Sequence, residues 1–403
     1  MLDRPLADLI LRDARLMTQE PGVGVIERGW IAARHGRIVG IGEGDPRARR
    51  SARAVERRLR GRVVLPGFVD PHTHLLYAGR RYEEFVERRA GTSYMEILTR
   101  GGGIHRTVAD TRAASDAQLS ALLRDRVSRA AAQGTTTIEI KSGYGLVVED
   151  ELRQLRIINR LRTASRIDIV PTYLALHALP LNADRVEFVA AAARAVGLVG
   201  REKLAERVDA FVDEAVFSAA DARAVFRAAR RVRLGVVLHA DQFTDAGGAV
   251  LAARSGAMSA DHLAAANDRG LAAMARAGTI AVLLPGSALV VGYAPPDAKR
   301  FRKAGVRMAL ATDQNPGTSP LEGMPIAIAL GVNLCGMTPD EALTAATRNA
   351  AAAVGRERVA GSLRTGKRAD LVVLDTDDER DLAYRVGARL IREVYAAGRR
   401  LEA

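Results

Sequence analysis

The chain holds seven histidines, and five of them close short apolar runs of the kind that end a buried strand. His72 and His74 stand in Asp70-Pro71-His72-Thr73-His74. Alternate residues of an extended strand point the same way, so both imidazoles fall on one side at chelating separation. His177, His239 and His262 end three later runs, and Asp313 ends a fourth. Three histidines and a carboxylate around an open position form the ligand pattern of a catalytic divalent metal. Neutral imidazoles with a carboxylate suit zinc and iron(II) alike. Such an ion lowers the pKa of its water from 15.7 to about 7. A carboxylate beside it can take the water proton and later deliver it to a leaving nitrogen. Asp313 fits that double role. His262 also reads as a histidine behind the ligand set, and His177 as an ordinary hydrogen-bonded one. Tyr144, between Gly143 and Gly145, sits in a tight loop from which it could touch a substrate. His35 precedes Gly36 in a predicted hairpin turn and takes no part.

Those side chains need a scaffold that brings strand ends together. Eight near-continuously apolar runs, most of them ending at or beside a polar residue, lie at 65–74, 135–141, 167–177, 210–214, 235–241, 258–263, 279–285 and 307–313. Helix-period stretches at 184–196, 221–231 and 267–277 lie between them, and Ala222, Val225, Phe226 and Ala229 share one helical face. Eight such units predict a (β/α)8 barrel of the TIM type, whose strand ends converge on one mouth. A doubly wound sheet would want a glycine-rich turn straight after its first strand. Gly101-Gly102-Gly103 lies too far on and is not expected to open a helix. Short strands at 9–11, 30–32, 37–41, 370–374 and 391–395 flank the barrel. Neither flank has enough strands for its own core. The expected organisation is a small β-sandwich domain built from residues 1–62 and 360–403, with the barrel spanning 63–359.

Composition narrows the partners. The 403 residues carry a net charge of +13, with only five lysines; the arginines are dispersed among acids and aromatics make up 4%. That is a solvated arginine-rich surface, without the clustered charge of a nucleic-acid binder. Cys335 is the only cysteine, which excludes an intrachain disulfide and reads as a small buried hydrophobe. The most apolar window, 278–296, is broken by Pro285, Gly286 and Gly292 and is not expected to span a membrane. Residues 1–17 lack the continuous apolar core of a signal peptide, so the cytoplasm is the expected compartment.

In this order the residues resemble the amidohydrolase superfamily of metal-dependent (β/α)8 hydrolases. The likeness extends to Pro66-Gly67-Phe68-Val69-Asp70-Pro71-His72-Thr73-His74-Leu75, Glu139-Ile140-Lys141-Ser142-Gly143-Tyr144-Gly145, His239-Ala240-Asp241-Gln242 and Thr312-Asp313-Gln314-Asn315-Pro316-Gly317-Thr318. Within the superfamily, these motifs are similar to those of the members that open the ring of 4-imidazolone-5-propanoate to N-formimidoyl-L-glutamate in histidine degradation. The resemblance implies one divalent metal ion per chain, zinc before iron, on His72, His74, His239 and Asp313. It implies that Arg81 binds the propanoate carboxylate, that His262 assists at the reacting carbonyl, and that Tyr144, His177, Gln242, Asn315, Gly317 and Thr318 line the substrate. A propanoate anion wants a guanidinium fork, and Arg80 is as good a chemical candidate as Arg81. Relatives with two metals bridge them by a carboxylated lysine on the fourth strand; here Asp213-Glu214 stands there, so one ion is expected. Lys141, on the second strand, reads as a buried pairing lysine. A mononuclear relative acting on a different cyclic amide, or on a purine or pyrimidine ring, is the competing reading. A non-catalytic scaffold would be expected to have lost a ligand. No nucleic-acid or membrane partner is expected, while the resemblance leaves room for a homodimer.

Overall fold

The computed structural model describes residues 5–92, 96–97, 100–214 and 216–402. Eight parallel strands follow one another in sequence order around a barrel. Before them come β1 (Leu6–Met17), β2 (Val25–Arg34), β3 (Arg37–Glu43), β4 (Arg49–Arg58) and β5 (Val63–Pro66). The barrel strands are β6 (Phe68–Asp70), β7 (Thr135–Lys141), β8 (Asp168–Leu176), β9 (Arg207–Val212), β10 (Gly235–Ala240), β11 (Ser259–His262), β12 (Ile280–Leu283) and β13 (Met308–Leu310). Every residue of β7 is buried, as expected of a strand covered on both sides. The intervening helices turn apolar stripes onto the barrel. In Ala219–Arg231 the buried residues are Ala222, Val225, Phe226 and Ala229, and Ser218 with Asp221 closes a capping box at its start.

The barrel mouth is drawn together where the chain's first and last barrel strands end. The Asp313 amide donates to the His72 carbonyl at 3.1 Å and the His74 amide donates to the Gln314 carbonyl at 3.0 Å. Just below, the Thr312 hydroxyl donates to Asp70 Oδ2 at 2.6 Å. These bonds set His72, His74 and Asp313 side by side.

The two ends of the chain share one eight-stranded sheet, completed by β14 (Leu371–Leu374), β15 (Ile391–Ala396) and β16 (Arg399–Arg400). β1 pairs antiparallel with β2 along its length, parallel with β4 over its first part and parallel with β5 near its end. The sheet curls, so that Leu11, Ile31 and Ile38 from one part share a core with Val373 and Tyr395 from the other.

Several expected boundaries differ. The run at 65–74 is divided: β5 pairs with β1 and β14 in the terminal sheet, and only Phe68–Asp70 enters the barrel. His72 and His74 therefore follow their strand on the mouth loop. The fourth barrel strand is Arg207–Val212, placed earlier than 210–214. β4 was not anticipated, because its arginine-rich sequence lacks an apolar alternation. Gly103 does open a helix, Ile104–Ala113, from a positive φ of 66°. Cys335 is buried, and among the described residues no helix is long and apolar enough to cross a membrane.

Candidate active site

A cavity at the barrel mouth is lined by His74, Arg81, Ile104, Tyr144, His177, Phe211, His239, Gln242, Phe243, His262, Asp313, Asn315 and Thr318. His72 lies beneath it, fully buried. Its Nε2 is 3.2 Å from Nε2 of His74, which is 3.3 Å from Nε2 of His239. Asp313 Oδ1 stands 3.6 Å from Nε2 of both His72 and His74. His262 belongs to the same cluster, since His72, His239 and His262 each place a nitrogen within 4.8 Å of the others.

The outer nitrogens explain why this cluster wants a cation. His72 Nδ1 donates to Asp261 Oδ2 at 2.6 Å, and His239 Nδ1 lies 2.9 Å from Asp209 Oδ2. A carboxylate at Nδ1 keeps the proton there and turns the Nε2 lone pair inward. A single proton on His74 Nε2 can point squarely at only one of the two inward lone pairs, whereas a positive centre among the three nitrogens satisfies all of them. Burial holds His72, His74 and His262 well below the usual imidazole pKa, so protons are a poor substitute for that centre. Burial also raises the Asp313 carboxyl well above the usual range. The donor set thus fits a divalent metal ion, with His72, His74, His239 and Asp313 disposed to hold it and His262 close by.

Beneath the histidines lies a buried ionic hub. Lys141 Nζ is 2.8 Å from Glu139 Oε1, 2.8 Å from Asp209 Oδ2 and 3.9 Å from Asp261 Oδ2. Burial opposes the charge of Lys141, but Asp209 and Glu139 outweigh it and raise its pKa. For Asp209 burial pushes upward, yet His239 and Lys141 win and hold the carboxyl far below its usual range. Asp209, Asp261 and Glu139 were missed from sequence, although the Glu139-Ile140-Lys141 alternation sets an acid and a lysine on one strand face. Lys141 itself is the buried pairing lysine that was expected. Asp213 lies past the end of β9 and bonds the Phe243 amide and the Thr244 hydroxyl, away from the imidazoles.

The mouth backbone is strained where it turns these groups inward. Asp241, His262, Leu263 and Asp313 all have positive φ, at 48°, 74°, 62° and 52°. Arg81 is buried, with its Nε donating to Glu84 Oε2 at 2.7 Å. Arg80 is exposed and lies over the Tyr82 ring, which separates the two candidates. Gln242 Nε2 reaches Ser287 Oγ at 3.3 Å and the Tyr293 hydroxyl at 3.4 Å. Asn315 Oδ1 accepts from the amides of Gly317 and Thr318 at 2.9 and 2.7 Å, so its carbonyl end builds its own loop. Gly317 is not among the cavity-lining residues; it packs behind Arg81. His177 Nδ1 donates to the Gly143 carbonyl at 2.7 Å, and burial lowers its pKa to about 3. Ile104, Phe211 and Phe243 complete the lining and carried no chemical signal in the sequence.

Residues 63–401 match the amidohydrolase family. A curated imidazolonepropionase of Symbiobacterium thermophilum is 42% identical over 98% of this chain and 97% of its own. One from Methylobacterium sp. strain 4-46 is 46% identical over 95% of this chain and 97% of its own. The chain belongs to the amidohydrolase family, among the imidazolonepropionases. Solved amidohydrolase-fold structures agree on architecture at much lower identity. A 5-methylcytosine deaminase of Klebsiella pneumoniae superposes with a TM-score of 0.76 at 18% identity, covering 98% of this chain and 97% of that one. An adenosine deaminase of Xanthomonas campestris, solved with bound zinc, gives 0.75 at 18%, covering 98% and 93%. At that distance they speak for the fold alone. This amidohydrolase therefore carries a divalent-metal type of donor set at the mouth of its barrel.

Proposed function

We propose that this imidazolonepropionase family member hydrolyses 4-imidazolone-5-propanoate, with His72, His74, His239 and Asp313 holding one divalent ion, zinc before iron. The observation that carries the assignment of roles is a buried guanidinium, Arg81, in the same cavity as the converging imidazoles and Asp313. A bound ion there supplies Lewis acidity and a water acidic enough to ionise near neutrality. The propanoate carboxylate docks on Arg81, which fixes one end of the substrate. Water adds through oxygen to the ring carbonyl carbon. Asp313 accepts the proton that the water gives up. The carbonyl C–N bond then breaks, and Asp313 returns the proton to the departing nitrogen. A carboxylate forms at the former ring carbonyl, and the nitrogen leaves as part of the formimidoyl group. His262 donates toward the carbonyl oxygen as it gains charge. Tyr144, His177, Gln242 and Thr318 hold the planar ring, with Asn315 and Gly317 shaping the loop behind it.

Purified protein, metal-loaded and after chelation, is to be incubated with fresh 4-imidazolone-5-propanoate while ring absorbance is followed. Metal-dependent loss yielding N-formimidoyl-glutamate, abolished in Asp313→Ala, is expected. No turnover by a sample holding one metal per chain overturns the substrate.

A further inference from the structure

The loop that carries Tyr144 is held from outside at one peptide group after another. The Gly143 carbonyl accepts from His177 Nδ1 at 2.7 Å. The Gly145 and Leu146 amides donate to Glu151 Oε1 at 2.7 and 2.8 Å. The Gly145 carbonyl accepts from Arg112 Nε at 2.9 Å. Glu151 lies in the first turns of the helix Val148–Ala164 and is buried, so its side chain turns back beneath the loop. The geometry allows no side chain at the two glycines. A Cβ on Gly143, whose φ is +132°, would sit 2.8 Å from His177 Nδ1, and one on Gly145 would sit 2.6 Å from the Glu151 amide.

Two consequences follow for the cavity. A carbonyl can only accept, so Gly143 keeps the proton of His177 on Nδ1 and leaves Nε2 as an acceptor. The His177 ring in turn lies 5.4 Å from the Tyr144 ring and stacks on His74 at 5.1 Å. The placement of both cavity residues therefore depends on one loop, and that loop depends on the two amides that Glu151 receives.

We propose that Glu151 is a positioning residue for catalysis: by holding the Gly145 and Leu146 amides it fixes the loop that aims Tyr144 and sets the tautomer of His177. Glu151 touches neither the donor cluster nor the substrate, and a carboxylate there is not needed to cap the helix, whose neighbours Glu149 and Asp150 already place negative charge in its first turn. The claim deepens the proposed function and rests on Tyr144 and His177 meeting the substrate.

The test compares Glu151→Met, which keeps volume without an acceptor, Glu151→Gln, which keeps the acceptor, and Glu151→Asp, which is too short to reach both amides. Steady-state kinetics with 4-imidazolone-5-propanoate is read beside the ring ¹⁵N shifts of His177, assigned with His177→Asn. Glu151→Met is expected to raise KM about tenfold with kcat nearly unchanged, since the loss of two buried acceptor contacts falls on binding. The His177 ¹⁵N shifts should move from the Nδ1-protonated pattern, and Glu151→Gln should restore both readouts. A folded Glu151→Met with unchanged KM and unchanged His177 shifts overturns the proposal. If that variant does not fold, Glu151→Asp replaces it with the same two outcomes. Wild-type protein that fails to turn over the substrate defeats the function reading alone, and the His177 shifts still decide the role of Glu151.

Discussion

A methyl group on Gly317 would lie 1.9 Å from Nη1 of Arg81 and 2.5 Å from its Cζ. The missing side chain leaves the space that the guanidinium occupies beside Gly317, while Glu84 grips Nε. Gly317→Ala should therefore displace the fork that receives the substrate carboxylate. Losing one partner of a hydrogen-bonded charge pair costs about 2 kcal/mol or more, so KM is expected to rise roughly 30-fold. Kinetics with the propanoate and with its methyl ester checks this: the variant should lose affinity for the anion and little for the ester. Equal losses for both would remove Arg81 from the carboxylate role. Sequence could not foresee the packing. The resemblance implied Gly317 as a substrate contact, and the letters alone do not show the space it leaves for the Arg81 guanidinium. Histidines at strand ends were legible for the opposite reason: their chemistry and their spacing both show in the letters.

At the scale of elements, β7, β9 and β11 deliver acids to a common point under the imidazoles, and Lys141 holds those acids in register. Asp261→Asn keeps the shape but can present its amide to Nδ1 of His72 and invite the wrong tautomer. Outer partners of ligand histidines typically matter 10–100-fold, and metal affinity should fall by about that factor. Competition with a chromophoric chelator measures it, and an unchanged affinity would sink the tautomer argument. The helix–strand alternation was readable because apolar periodicity is strong in buried parallel strands. β4 was not, since Arg49, Arg50, Arg53, Arg57 and Arg58 spread charge along a strand whose order comes from pairing with β1. The split of 65–74 was equally hidden: Val63–Pro66 and Phe68–Asp70 are both apolar, and only the partner strands tell them apart.

At the scale of the whole molecule, the barrel interior holds charge-capable groups against their preference, in two opposing populations. The neutral histidines resist protonation, while burial pulls the Glu151 carboxyl up to about 7. For His177 the folded pKa of about 3 lies below the usual imidazole value. Unfolded chains then bind the extra proton, so its contribution is present above about pH 6.5 and is lost progressively as pH falls toward 3. Denaturation with chelator present should show wild type losing stability relative to His177→Gln between pH 7.5 and 5.5. A constant gap would contradict a ring that stays neutral in the folded chain. The joint terminal sheet was foreseeable because each flank was too short to stand alone, but its strand order was not, since Leu371–Leu374 meets Val63–Pro66 across most of the chain. The bond from the Asp313 amide to the His72 carbonyl also has a meaning for biosynthesis. Its partners lie at opposite ends of the barrel's sequence, so a growing chain offers the complete donor set only once Asp313 has been made and its strand has docked beside β6. Any ion held by all four side chains would therefore report that the last barrel strand has closed on the first.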